Sequence, residues 1–293
     1  MPDYSHVLFG DESHHNGGRY RSVGILSARR AAAVELHRWY VGVLAESGRS
    51  SLEFKKLNDR RLVPVVSEVV TGVVQRVRRG AIRADVLVWD TTDKRHAIVG
   101  RDDRANLGRM YYHCIRTCLA MRWPNGALWR AMIDENALAD YAEFQRILDG
   151  KTHDPDPTVA LREDLAQDES LYTVAHLESV TAEDQPLVQI ADLLAGLAVV
   201  SRSKYAGLCS WRDARNGQRT LLGEQPSEGS NRERNQFGLI QHLRREAGRL
   251  RLGVSLDSTR GLETKDPKRP LNFWLYRPQH DLDQAPLRER RQG

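Results

Sequence analysis

The stretch PLVQIADLLAGLAVVSRSK, residues 186–204, restricts the fold of this chain more than any other. Between Leu187 and Val200 every position except Gln189, Asp192 and Gly196 is apolar. A helix that is apolar nearly all round has to be buried, and Pro186 suits its first turn. The stretch is also shorter than the roughly 18 apolar residues of a membrane span. Asp192 is therefore an acid inside a buried helix, which is expensive unless the carboxylate is paired or bound to a metal. Gln189 lies three residues earlier and shares its face. A salt bridge to an arginine, a cap for a neighbouring strand and a metal ligand are all open for Asp192.

Something must cover that helix, and the remaining patterns supply a sheet. Residues 5–11 and 19–27 read as two strands joined by the polar turn DESHHNGG, with Gly17 and Gly18 suited to a hairpin. Helical spacing covers 28–47 and 59–79, the latter with Leu62, Val65, Val66, Val69, Val70, Val73 and Val74. SLEFKKL, residues 51–57, alternates and reads as a strand or extended edge. Strands follow at 84–92, 127–136 and 171–179, with helices at 103–122 and 138–149. Residues 151–170 read as a surface connection and 205–236 as loop. A last helix at about 236–251, a strand at about 271–278 and a frayed tail complete the chain. Hairpin-first α/β order predicts a mixed β-sheet flanked by helices. The division expected is a core over 1–203 and a basic extension over 204–293.

Three of these strands end in acids: Asp11 with Glu12, Asp90, and Asp134 with Glu135. One such end is an ordinary turn signal. Several carboxylates at one sheet end, joined by Asp192, would be a site for a hard cation such as Mg2+ or Mn2+. Glu53 and Lys55 share a face if 51–57 is extended. Asp90, before TTDKR, is a reserve candidate and reads rather as a helix-capping residue, and His14 and His15 read as exposed turn residues. No Gly-rich nucleotide loop and no G-x-S-x-G nucleophile elbow occur. Cys114 and Cys118, one helical turn apart, read as small buried residues. Three cysteines make no disulfide framework, so a reducing, cytoplasmic setting with no membrane partner is expected.

Charge is unevenly spread. Residues 201–293 carry 19 Lys/Arg against 11 Asp/Glu, a net +8, whereas the first 200 net −3. A basic C-terminal part suggests a polyanion such as nucleic acid, with Arg244, Arg245 and Arg249 as candidate contacts, or else a solvated arginine-rich surface.

FGDES, LEFKKL, MIDEN and QIADLLAG, in that order over roughly residues 5–200, resemble the domain of unknown function 3800 family. That family is known by an Asp-Glu pair near the N-terminus and a Gln-x-x-Asp motif further on, matched here by Asp11–Glu12 and Gln189 with Asp192. The resemblance implies a ribonuclease H-like fold and a metal-dependent nuclease or a relative of one, in a family often met beside mobile elements and phage-defence genes. By motif, Asp11, Asp134 and Asp192 are carried over as metal ligands, with Glu53 as the fourth. Glu12 either alternates with Asp11 or points away, and Glu135 is supporting. Gln189 either positions substrate or holds Asp192, and Lys55 either touches a phosphate or neutralises Glu53. Ribonuclease H-like enzymes often carry a second acid on the first helix, and here Glu53 follows that helix instead. Two further readings compete with the nuclease: a non-catalytic nucleic-acid-binding or assembly component, with a protein partner or a second copy, and a hydrolase of small phosphorylated substrates.

Overall fold

The computed structural model of the protein describes residues 4–13, 18–93, 102–138, 140–149, 172–216 and 229–277. Strands β1 (His6–Ser13) and β2 (Tyr20–Arg29) pair antiparallel, from His6 opposite Arg29 to Ser13 opposite Ser22. They form the centre of a sheet that also contains β3 (Ile82–Asp90), β4 (Ala127–Asp134), β5 (Tyr172–Val180) and β6 (Leu271–Leu275). The spatial order is β5-β4-β1-β2-β3-β6, and only β2 runs against the other five. The expected mixed sheet flanked by helices is therefore present.

Alternation along the strands builds two cores. Val7, Phe9, Leu26, Val86 and Met132 face α1 (Arg30–Glu46), α2 (Leu62–Arg78), α5 (Val188–Ser203) and α7 (Asn231–Arg249). Leu8, Ile25, Leu87, Ala131 and Ile133 face α3 (Asp103–Arg122) and α4 (Tyr141–Leu148). The valine stripe of α2 is buried as its spacing requires, and α5 is buried along nearly its whole length. Among the described residues no helix is long and apolar enough to cross a membrane.

Two elements differ from the sequence expectation. Residues 51–57 are not a strand but hold a 3-10 turn, Phe54–Lys56. The reason lies in α5: the N–H groups of Leu52 and Phe54 donate to the side chains of Gln189 and Asp192, so they are spent before any strand can claim them. Residues 205–236 are not all loop, because α6 (Tyr205–Arg215) buries Leu208 and Trp211, spaced one turn apart. The next helix, α7, starts at Asn231 because Ser230 and Glu233 form a reciprocal capping box.

The extension is part of the core. Residues 271–275 pair with β3 from Ala84 opposite Leu271 to Val88 opposite Leu275, adding the sixth strand. A two-residue ribbon, Val254–Ser255 with Glu263–Thr264, leads into it. The connection expected at 151–170, the histidines at 14 and 15, and the C-terminal tail lie outside the described residues.

Candidate functional site

Three aspartates come together where β1 and β4 end. Phe9 faces the α5 side of the sheet, so Asp11, two residues on, faces it too; Met132 and Asp134 repeat this on β4. The parallel register pairs Gly10 with Ile133, which sets Asp11 and Asp134 side by side one residue further on. Asp192 arrives from α5. Its Oδ2 accepts the Phe54 N–H at 3.1 Å, and the Ser13 hydroxyl also bonds its carboxylate.

A glycine makes this approach possible. Gly24 sits opposite Asp11 in the hairpin, and a Cβ there would lie 2.4 Å from the Ala191 carbonyl oxygen. The helix backbone thus rests directly on β2, and Asp192 is the next residue along. Gly196 does the same for the 51–57 turn, because its missing Cβ leaves room for the Phe54 ring, which would otherwise stand 2.4 Å away.

The acids repel one another. Burial first, then the charges of Asp192, Glu12 and Asp134, push the Asp11 carboxyl well above its ordinary range. Asp192 is also raised, by burial foremost, against the help of the Phe54 N–H and the Ser13 hydroxyl. Asp85 shows how differently the chain treats an acid it means to neutralise. That residue is fully buried in β3 but is paired with Arg122, with Cys118 and Asn272 bonded to it as well. Among the described residues no comparable cation sits against Asp11.

The other candidates divide between the site and its frame. Glu12 lies on the opposite face of β1, where the Tyr111 hydroxyl donates to its Oε2 at 3.2 Å. Burial, and after it the Asp134 charge, pushes Glu12 up to about 7. Glu53 stands at the rim and is paired with Lys55, at 2.8 Å, and with Lys56. Those two ammonium groups hold its carboxyl below the usual range. Lys55 therefore neutralises Glu53. Glu135 is exposed in the turn after β4, where its N–H donates to Val180 O at 2.9 Å. Gln189 is tied on both sides: its Oε1 accepts from Tyr40 Oη at 2.9 Å and Leu52 N at 2.7 Å, and its Nε2 donates to Ala182 O at 2.8 Å. It holds the loops around Asp192. Asp90 accepts from Arg19 and closes its own turn through Thr92, but it caps no helix among the described residues: the helix that follows, α3, is capped by Asp102, whose side chain accepts from Ala105 N.

The candidate arginines also part company. Arg249 pairs with Glu246 at 2.7 Å and Arg244 with Asp257 at 3.4 Å, whereas Arg245 lines a groove against α6. Arg212 and Arg215 line the same groove and were missed because residues 205–236 read as loop.

Among the described residues no group of three or more His, Cys, Asp or Glu side chains stands as a ready-made metal cage. The donor set nevertheless suits a hard cation. It is all oxygen, it carries excess negative charge at one sheet edge, and magnesium usually binds through one or two carboxylates while keeping several waters. Asp11, Asp134 and Asp192 would hold such an ion, with Glu53 available only by giving up a lysine.

Fold and site together define an α/β protein with a cluster of acids at the C-terminal edge of a mixed sheet. The chain is 34% identical over 294 residues to the uncharacterized protein ORF2' of Methanothermobacter thermautotrophicus, with 97% of this chain and 99% of the relative covered. It is 33% identical to the uncharacterized protein ORF2 of the same organism, covering 96% and 98%. The chain belongs to the family of these ORF2 proteins. No family model matches it.

Proposed function

We propose that this protein is a metal-dependent nuclease that hydrolyses phosphodiester bonds of DNA or RNA, on a ribonuclease H-like fold allied to the domain of unknown function 3800 family. The observation that carries this reading is the state of Asp11, which is half-buried beside Asp192, Glu12 and Asp134 with no opposing cation among the described residues. Such an arrangement is costly for a purely structural acid and useful for holding a divalent ion. When bound, Mg2+ or Mn2+ would offset that repulsion, polarise a phosphate and lower the pKa of a water.

The rest falls to the chain. Asp11, Asp134 and Asp192 supply oxygens on one face of the sheet edge. The Phe54 N–H and the Ser13 hydroxyl bond the Asp192 carboxylate, Gln189 holds the turn that carries Phe54 through Leu52 N, and Gly24 and Gly196 let helix, turn and sheet approach closely enough to share the site. Water is the attacking group in this scheme. Cys114 and Cys118 are fully buried, and burial raises both thiols, so neither is an available nucleophile.

The test is cleavage of labelled single- and double-stranded DNA, RNA and a hybrid with Mg2+, Mn2+ or chelator, beside Asp11→Asn and Asp192→Asn. Metal-dependent cleavage that drops by about 100-fold or more in both variants is expected, the scale of losing one charge-stabilising group. Wild-type rates in either variant would reject the assigned site. Intact nucleic acid in every lane would transfer the fold to the binding-component reading.

A further inference from the structure

Helices α6 and α7 enclose a shallow groove of about 320 Å³, lined by Arg212, Arg215, Asn216, Gln241 and Arg245 among others. We propose that this groove holds the phosphodiester backbone of a nucleic-acid strand. The choice of nucleic acid as the polyanion rests on the nuclease reading; the anion site itself does not.

Three guanidinium groups converge here, and among the described residues no carboxylate lines the groove. Arg212 Nε stands 3.7 Å from Asp213 Oδ1, too far for a hydrogen bond. Two other arginines of α7 are ion-paired, Arg249 with Glu246 and Arg244 with Asp257. Among the described residues Arg215 and Arg245 have no carboxylate partner, and Arg212 has only its long contact to Asp213.

They are also held in place. Arg215 lies over the Trp211 ring, 5.3 Å from its centroid, and Trp211 is itself buried against Phe237. His242 fixes Arg245. Its Nε2 is 3.1 Å from the Ser67 carbonyl, which can only accept, so the ring proton sits on Nε2 and Nδ1 accepts from Arg245 Nη2 at 2.9 Å. Thr71 Oγ1, 2.8 Å from the same Nε2, pins the ring from α2. Planar guanidiniums in fixed orientations are suited to phosphate oxygens, and Asn216 and Gln241 add amide donors.

The groove leads back to the acids. Asn235 Nδ2 donates to Leu57 O at 2.9 Å, tying the start of α7 to the turn that carries Glu53 and Phe54. Gln241 and Arg245 lie six and ten residues further along, about 9 and 15 Å at the helical rise. A strand with one phosphate at the acid cluster could run along α7 into the groove.

The experiment is fluorescence anisotropy of the full chain with labelled single-stranded DNA and RNA of about 20 nucleotides. Chelator is present, and salt runs from about 50 to 200 mM. The triple variant R212Q/R215Q/R245Q should bind at least about tenfold more weakly. Its log–log salt slope should be shallower by about 2, because three lost phosphate contacts are worth roughly 0.7 each on a single strand. Arg244→Gln with Arg249→Gln should keep wild-type affinity. The single variants Arg212→Gln and Arg245→Gln answer the question if the triple variant melts early. Unchanged affinity and slope in the groove variants, or no binding by the wild type, would overturn the proposal. Equal displacement of the strand by poly-glutamate would overturn it too, by assigning the groove to acidic peptides. A strand held in the groove but never cut would remove the nuclease reading alone. Cleavage with undiminished affinity in the groove variants would remove this inference alone.

Discussion

Replacing Gly24 by alanine adds one methyl group at the point where α5 rests on the sheet. Its backbone is not in the left-handed region, so the substitution carries no conformational penalty of its own and the entire effect is steric. The new Cβ would stand 2.4 Å from Ala191 O, 3.1 Å from Ala191 C and 3.3 Å from Ala195 Cβ. Ordinary contact begins near 3.4 Å, so the helix has to lift by about 1 Å at the residue next to Asp192. The obstructing atom is backbone, which no rotamer change relieves. Overpacking of this kind costs typically 1–3 kcal/mol, and a displacement of about 1 Å in a catalytic group can cost about 100-fold in rate. Gly42→Ala is the control: it lies inside α1 with nothing within 4 Å of the added Cβ. It should stabilise the protein by roughly 0.4–1 kcal/mol. Denaturant unfolding and the cleavage assay, run on both variants, read the two effects separately. A Gly24→Ala protein as stable as the wild type and cleaving at its rate would refute the claim that this glycine positions Asp192.

Acid titration supplies another expectation. In the folded chain Glu12 is pushed up to about 7 from an ordinary 4.5, and Asp11 is raised as well, so between those pH values the native state holds protons the unfolded chain has released. Their contribution is therefore least unfavourable at low pH and turns destabilising as pH rises through that window, by at most about 3 kcal/mol for Glu12. Glu12→Gln, melted in chelator, should exceed the wild type in Tm at pH about 7.5 and lose that advantage toward pH about 5. A Tm difference that does not move with pH would mean that these acids do not feel one another. Gln189→Leu strands three buried partners, Tyr40 Oη, Leu52 N–H and Ala182 C=O. The expected loss is on the order of 3 kcal/mol in a urea melt, and a loss below about 1 kcal/mol would return Gln189 to the list of free groups.

The sequence displayed the buried helix, the hairpin and most strands because each is written in a period of two or in a long apolar run. Asp134 and Asp192 were legible for a related reason: acids in such surroundings have to be explained. The 51–57 turn was not legible. Its conformation is decided by hydrogen bonds to Gln189 and Asp192, more than 130 residues away, and alternation in SLEFKKL records only which side chains are buried. Helix α6 was hidden by its polar face, with Leu208 and Trp211 alone buried to betray it. The groove arginines went unseen with it. Gly24 is the instructive case. Nothing in SVGILS distinguishes a glycine that admits a helix backbone from one that merely loosens a strand, and only the position of Ala191 decides.

Adjacent acids also need not act together. Asp11 and Glu12 read as one motif, but a strand turns successive side chains to opposite faces, and the sheet divides them. Asp11 falls on the α5 side with Asp134 and Asp192. Glu12 falls on the α3 side, under Tyr111, whose ring fits because Gly10 offers no Cβ and one there would lie 3.1 Å from Tyr111 Cε1. The tyrosine bond pulls Glu12 toward its charged form while burial and Asp134 push it the other way, so Glu12 is poised near neutrality while Asp11 is crowded by three carboxylates. A group in that state is suited to exchanging a proton at the edge of a site, and one in Asp11's position to holding a cation at its centre. Both acids lie just past Gly10 and Ile133, where the pairing of β1 with β4 ends and β1 continues beside β2 alone, so the two faces of the strand border the same sheet edge.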